Sequence, residues 1–251
     1  MNLVAAPGKR IAAFFDLDGT LIPEPSLERR FFDVLRRSDA IPFSNYIRWC
    51  VEAARLLPKG IIAVLHDNKR YLHGVSWEQA LQEIETITFY DEGLARVAWH
   101  ARRGHKVVLV SGTLEPLARR AADALGCELL AQGLEAECMV CATRLEKKAW
   151  RWTGRVVGEA MHGEAKSRVI RRIAKEEKLD LSRSYAYGNS PEDLQMLSAV
   201  GFGQTVNPGK EMAQPAKLRD WRIWHWKQKS ESSPKCICRE ERVIQRVGGG
   251  V

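Results

Sequence analysis

The sequence predicts an α/β protein built on a doubly wound parallel sheet, interrupted early by an inserted bundle of helices. Three observations carry that expectation. Short, unbroken apolar runs such as Ile11-Ala-Ala-Phe-Phe15 have the texture of parallel strands buried on both faces. From about residue 92 to 226, helical and strand patterns alternate, as a doubly wound sheet requires. Between Ser26 and Thr88, by contrast, apolar residues recur only at helical spacing.

Taken in order, the first strand spans Ile11 to Phe15 and runs into Asp16-Leu-Asp-Gly-Thr20. Leu27, Phe31, Phe32 and Leu35 mark a first helix, and similar segments follow at Tyr46 to Leu57, Ile61 to Leu72 and Trp77 to Ile87. Pro42, Pro58 and Gly74 punctuate them. A helix from Glu92 to Arg103 leads through Gly104 to a strand at Lys106 to Val110, which ends at Ser111-Gly-Thr113. A helix at Glu115 to Leu125 is followed by expected strands at Glu128 to Ala131 and Glu137 to Ala142. Trp152 to Gly158 reads as a short hairpin turning at Gly154. Helices at Glu164 to Lys178, Pro191 to Leu197 and Lys210 to Leu218 then alternate with strands at Ser184 to Tyr187, Gly203 to Val206 and Arg222 to Trp226. Beyond Lys227 the chain is polar and Ser-rich and ends in glycines, the composition of a mobile tail.

Composition narrows the functional classes. With 45% apolar and 28% charged residues, the chain is neither collagen-like, nor a disulfide framework, nor wholly disordered. Its longest apolar runs are five residues, against the roughly 20 that cross a bilayer. Lys9 and Arg10 precede an apolar stretch that stops at Asp16, too short for a secretory signal. A cytoplasmic location is expected.

The net charge of +8 is concentrated. Arg144 to Lys178 holds eleven Lys/Arg against five Glu, and Lys227 to Val251 six against three. Such stretches attract phosphorylated ligands, anionic membrane or nucleic acid, and equally form solvated helix faces. No aromatic-interleaved motif accompanies them, so a specific nucleic-acid partner is not expected. Cys138 and Cys141 form C-x-x-C, and Cys236 and Cys238 form C-x-C. On a strand, positions three apart face opposite ways, which argues against a shared metal. Reduced thiols, with Cys50 and Cys127 buried in apolar surroundings, are the expected state.

Ligands of an open parallel sheet bind at the carboxyl ends of its strands. At such ends stand Asp16 and Asp18, then Ser111, and later Gly188-Asn-Ser-Pro-Glu-Asp193; Lys166 opens a helix between them. In that order, across about Ile11 to Trp226, the sequence resembles the haloacid dehalogenase-like superfamily, in its branch of phosphoserine phosphatase-like hydrolases. The D-x-D-G-T opening after a strand is the most specific element of the match.

The resemblance implies a core of residues 1–22 and 91–226, a helical cap of residues 23–90 that closes the site, and a tail of residues 227–251. It also implies a phosphomonoesterase in which Asp16 attacks phosphorus and Asp18 serves as general acid and base. Gly19 allows the tight curl of the loop and Thr20 helps hold it. Ser111 hydroxyl and Gly112 amide would hold phosphate oxygens, and Lys166 would offset negative charge. A cation in a helix's first turn opposes the dipole, so Lys166 has a local cost to justify. Mg²⁺ is the implied metal, held by the Asp16 carboxylate, the Asp18 main-chain carbonyl and Asn189, with Asp193 in the same cluster. Most relatives carry aspartate where this chain has Asn189. Relatives acting on phosphoserine carry glutamate nine residues after the nucleophile; here that position is Pro25, beside Glu24. Within the cap, Arg70 is the residue expected to touch substrate.

A small phosphorylated metabolite is therefore the leading substrate class. Two alternatives stand beside it. One is a phospholipid head group of the phosphatidylglycerophosphate or lysophosphatidate type, with weak contact to an anionic membrane, motivated by the basic stretches and by Trp221, Trp224 and Trp226. The other, motivated by Asn189, is a catalytically weakened phospholigand-binding or regulatory protein.

Overall fold

A computed structural model describes residues 10–76, 78 and 87–227 of the chain. Its centre is a six-stranded, wholly parallel sheet. The strands are β1 (Ala12–Phe15), β2 (Lys106–Leu114), β3 (Cys138–Thr143), β6 (Tyr185–Gly188), β7 (Phe202–Val206) and β8 (Arg222–Trp224). They lie in the order β3-β2-β1-β6-β7-β8. Because β1 pairs with β2 on one side and β6 on the other, the chain diverges around the end of β1, where an open sheet leaves a crevice.

Strand alternation divides the core in two. Ala13, Phe15, Val107 and Leu109 face one cluster, while Ala12, Phe14, Val108 and Val110 face the other. The first face is covered by α4 (Asp91–Ala101) and α5 (Glu115–Ala131), the second by α6 (Glu164–Glu176), α7 (Leu194–Leu197) and α8 (Lys210–Leu218). Both faces of the sheet are thus buried under helices, which makes the fold doubly wound α/β.

Between β1 and α4 the chain forms α1 (Leu27–Arg37), α2 (Phe43–Leu56) and α3 (Ile61–Asp67), with 3-10 turns at Leu57–Lys59 and Arg70–Leu72. Ser26 caps α1 by accepting a hydrogen bond from the Arg29 amide. The periodicity predicts that α3 continues to Leu72, but the helix stops at Asp67. Asn68 is extended and buried, its side-chain amide donating to the Trp49 carbonyl.

A separate antiparallel hairpin, β4 (Leu145–Lys148) and β5 (Arg151–Val156), braces this helical segment. Trp152 and the segment around Gly74 and Val75 exchange backbone hydrogen bonds of 2.7 and 3.1 Å. A Cβ at Gly154 would stand 2.8 Å from the Lys69 carbonyl, so glycine lets the two segments meet.

Three further expectations fail for physical reasons. Glu128 to Ala131 is not a strand but the last turn of α5; Leu125 and Leu129, four apart, continue its buried face. The hairpin turns at Ala149 and Trp150, both at positive φ, and Gly154 lies within β5. Cys50 is exposed and Cys127 only half-buried, rather than both being buried. Cys138 and Cys141 are free, and burial pushes both thiols up, Cys138 to about 11, away from the thiolate that metal binding needs. The helix expected at Trp77 to Ile87, the tail and the C-x-C at Cys236 and Cys238 lie essentially outside the described residues. Among those described, no helix is long and apolar enough to cross a membrane.

Candidate active site

At the end of β1 the backbone folds into a tight loop, with the amides of Thr20, Leu21 and Ile22 all donating to the Leu17 carbonyl. Gly19 sits at φ +75°, and a Cβ there would lie 2.0 Å from the Asn189 amide nitrogen. Glycine is needed both for the turn and for the approach of Asn189. The loop leaves Asp16 buried beneath the end of β6, its amide donating to the Tyr187 carbonyl.

Lys166, in the first turn of α6, joins two carboxylates. Its ammonium lies 2.7 Å from Asp16 Oδ1 and 2.6 Å from Asp193 Oδ1, and all three residues are buried. Burial alone would lower the Lys166 pKa, but the charges of Asp16 and Asp193 outweigh it and hold the ammonium protonated above its usual range. That pairing is the compensation for a lysine placed against the helix dipole. Asp193 is saturated: its Oδ2 accepts from the amides of Asn189 and Ser190 and from the Ser190 hydroxyl. Gly188 is required beneath it, since a Cβ there would stand 2.5 Å from the Asp193 Cβ.

Burial pushes the Asp16 carboxyl up to about 7, Lys166 pulling against it and Asp193 adding to it. Two buried carboxylates share one ammonium, leaving the site short of positive charge. The Thr20 hydroxyl lies 3.2 Å from Asp16 Oδ2 and 3.4 Å from Asn189 Oδ1, so those two oxygens converge. An all-oxygen set with uncompensated negative charge fits a hard divalent cation. No cluster of three His, Cys, Asp or Glu residues suited to a metal occurs among the described residues. Any metal set here must therefore draw on an amide or a backbone oxygen.

Asp18 turns toward the helical segment, its Oδ1 accepting from the Leu27 amide at 2.7 Å. Burial pushes its carboxyl up to about 6, against the pull of that hydrogen bond. Thr143 Oγ1 donates to the Gly112 carbonyl and the Thr113 amide donates to Ser111 Oγ, fixing Ser111-Gly112-Thr113 in the stretch of β2 where its pairing with β3 shifts register.

A cavity of about 700 Å³ opens over this floor. Six of the sequence-predicted residues, Asp16, Asp18, Ser111, Gly112, Lys166 and Asn189, line it. Thr20 and Asp193 lie behind them as contacts of Asp16 and Lys166. Arg70 is not brought to the cavity; its guanidinium lies 3.4 Å from Glu52. Its neighbour Lys69 lines the cavity instead, nearly buried, 2.5 Å from Glu28 Oε1, which also accepts from the Tyr71 hydroxyl.

Sequence reasoning misses Thr113, whose buried hydroxyl lines the cavity without a protein partner among the described residues. The sequence groups His66 with Lys69, Arg70 and His73 on one polar face but assigns substrate contact to Arg70; the residue of that face that meets the core is His66, on α3. Its Nε2 lies 2.8 Å from Glu192 beside the Asn189 loop, and its ring packs against that of His162 at 4.7 Å. The only sequence signal for Thr113 is its adjacency to Ser111.

Comparison with known proteins agrees with this architecture. The family model described as haloacid dehalogenase-like hydrolase matches residues 13–198. A probable phosphatase of Mycobacterium tuberculosis is 30% identical over 233 residues, covering 87% of this chain and 76% of its own. The phosphoserine phosphatase SerB1 of the same organism is 30% identical over 227 residues, covering 84% and 70%. A solved phospho-aspartyl intermediate analogue of phosphoserine phosphatase superposes with a TM-score of 0.61 at 19% identity, covering 88% of this chain and 95% of that one. The chain belongs to the haloacid dehalogenase-like hydrolases, in their phosphoserine phosphatase-like branch. Within that class it is a phosphatase.

Proposed function

We propose that the protein is a cytoplasmic, Mg²⁺-dependent phosphomonoesterase that works through a phospho-Asp16 intermediate on a small phosphorylated metabolite. The observation that carries the reading is the Lys166 ammonium held between Asp16 and Asp193 at the end of β1. Phosphoserine is the first substrate to test, since a relative bears that name. Free thiols at all four described cysteines suit a reducing compartment.

In this reading Asp16 forms a bond to phosphorus as the ester P–O bond breaks. Asp18 gives its proton to the departing alkoxide, for which a carboxyl raised to about 6 is suited. Asp18 then takes a proton from water, whose oxygen attacks phosphorus and releases Asp16. Lys166 stays protonated and offsets charge on the phosphoryl oxygens, which Ser111, the Gly112 amide and the orphaned Thr113 hydroxyl would also bind. The Asp16 carboxylate, the Asp18 carbonyl and Asn189 would hold Mg²⁺, which would supply further charge neutralisation. Asp193 holds Lys166 and the Asn189 loop, both its oxygens being committed. Residues 23–90 act as the cap, and Lys69 and Glu28 replace Arg70 as the cap groups facing substrate.

Wild type should hydrolyse p-nitrophenyl phosphate with Mg²⁺ and lose that activity in EDTA. Asp16→Asn should show no measurable turnover while keeping its circular dichroism spectrum. Beryllium fluoride with Mg²⁺ should form an adduct on wild type but not on Asp16→Asn. Near-normal turnover by Asp16→Asn would overturn the covalent mechanism. A wild type inert toward every phosphomonoester tried would favour the weakened, ligand-binding alternative. In a Mg²⁺ titration, Asn189→Ala should need more metal than wild type for half-maximal activity; identical curves would remove Asn189 from the ligand set.

A further inference from the structure

We propose that the outer face of the helical hairpin formed by α2 and α3 is a docking surface for an anionic lipid bilayer. Phe43, Ile47 and Val51 recur every four residues along one side of α2, and Ile61, Ile62 and Leu65 extend the apolar surface along α3. All six side chains are between 48% and 78% exposed. Isolated exposed hydrophobes are ordinary, but six within 23 successive residues of one hairpin form the kind of patch that marks an interaction site.

The charges around the patch select its partner. From Phe43 to Asp67 there are three basic residues, Arg48, Arg55 and Lys59, against two acids, Glu52 and Asp67, the latter 3.6 Å from His162. Glu52 is already engaged by Arg55 at 3.7 Å and Arg70 at 3.4 Å. An apolar helix face flanked by cations is the pattern of a helix lying in a membrane interface. A second copy of the chain is a poorer occupant. A two-fold contact would set the same three cations of each copy against one another.

Position gives the surface a use. From the opposite side of α2, Tyr46 and Trp49 line the catalytic cavity, and Leu65 belongs to both the cavity wall and the exposed face. Docking therefore brings the rim of the cavity to the bilayer without occupying it. This inference stands on the exposed face alone and holds whichever ester the site hydrolyses.

The test is flotation of the full chain with phosphatidylcholine vesicles, with and without phosphatidylglycerol. Wild type should float with the anionic vesicles only, and less as salt rises. Ile47→Glu combined with Ile62→Glu should stop flotation while turnover of p-nitrophenyl phosphate in solution is unchanged, which also reports that the variant folds. Arg48→Ala and Lys59→Ala should each weaken binding roughly fivefold. The proposal is overturned if wild type floats with neither vesicle, or if the charged pair of substitutions leaves flotation intact and so assigns it elsewhere. It is also overturned if wild type is a dimer in solution that those substitutions dissociate.

Discussion

Lys166, Asp16 and Asp193, on the sheet side of the cavity, are each 5% exposed or less, and their contacts are ion pairs and hydrogen bonds of 2.6 to 3.2 Å. Across the cavity, Phe32, Tyr46 and Trp49 are only half-buried, and at the rim the helical wall touches the loop after β6 through the His66 and Glu192 pair. The floor is held by sheet register and by glycines that no other residue can replace. The wall is braced at its base by the β4-β5 hairpin, and the cavity-facing part of it is held by side chains. Groups that must meet a developing charge are fixed in advance, whereas those that face the rest of the substrate sit on helices that need only close over it.

Three substitutions break or sharpen that contrast. Lys166→Met should have the largest effect, abolishing turnover and costing about 3–5 kcal/mol of stability, because it leaves buried carboxylates without their cation. Urea denaturation measures the loss; a cost under about 1 kcal/mol would mean that the floor is far softer than its contacts imply. On the wall, His66→Ala removes the Glu192 contact and the packing on His162. It should raise KM roughly two- to fivefold and leave kcat unchanged. A fall in kcat matching that of Lys166→Met would place the wall in the chemistry and erase the distinction.

The smallest effect concerns the support beneath the floor. His100 is fully buried, with its Nε2 2.9 Å from the Tyr187 hydroxyl, and burial pushes its pKa down to about 3. Between that value and the ordinary 6.5 the unfolded chain binds a proton that the folded chain does not. Stability contributed by neutral His100 is thus complete above about 6.5 and declines as pH falls toward 3. His100→Gln should flatten part of this slope in urea midpoints measured from about pH 7 to 4, leaving the part due to His105, also lowered by burial. An unchanged slope would show that His100 does not titrate against burial.

What can be read from the sequence follows the same division. Asp16, Asp18, Ser111, Lys166 and Asn189 are legible through the family resemblance, which their order along strand ends and helix starts carries; local pattern alone does not single out Lys166 or Asn189. Arg70 misleads because neighbouring residues diverge: Lys69 reaches Glu28 in the cavity, while Arg70 reaches Glu52. His66 and Glu192 are 126 residues apart, and no local period brings such a pair together. Glu128 to Ala131 misleads for another reason: a short apolar run is ambiguous until the face it continues is known.

Asp193 grips Lys166 with one oxygen and the Asn189 loop with the other. The cation on α6 and the loop after β6 are therefore one mechanical body, although 23 residues separate Lys166 from Asn189 in the chain. In descent, positions 166 and 193 should therefore behave as a single character. A lineage that loses the acid strands the lysine and frees the loop at one stroke, so the two residues should be kept together or abandoned together, while position 189, bound to Asp193 through its backbone amide, is free to exchange carboxylate for amide.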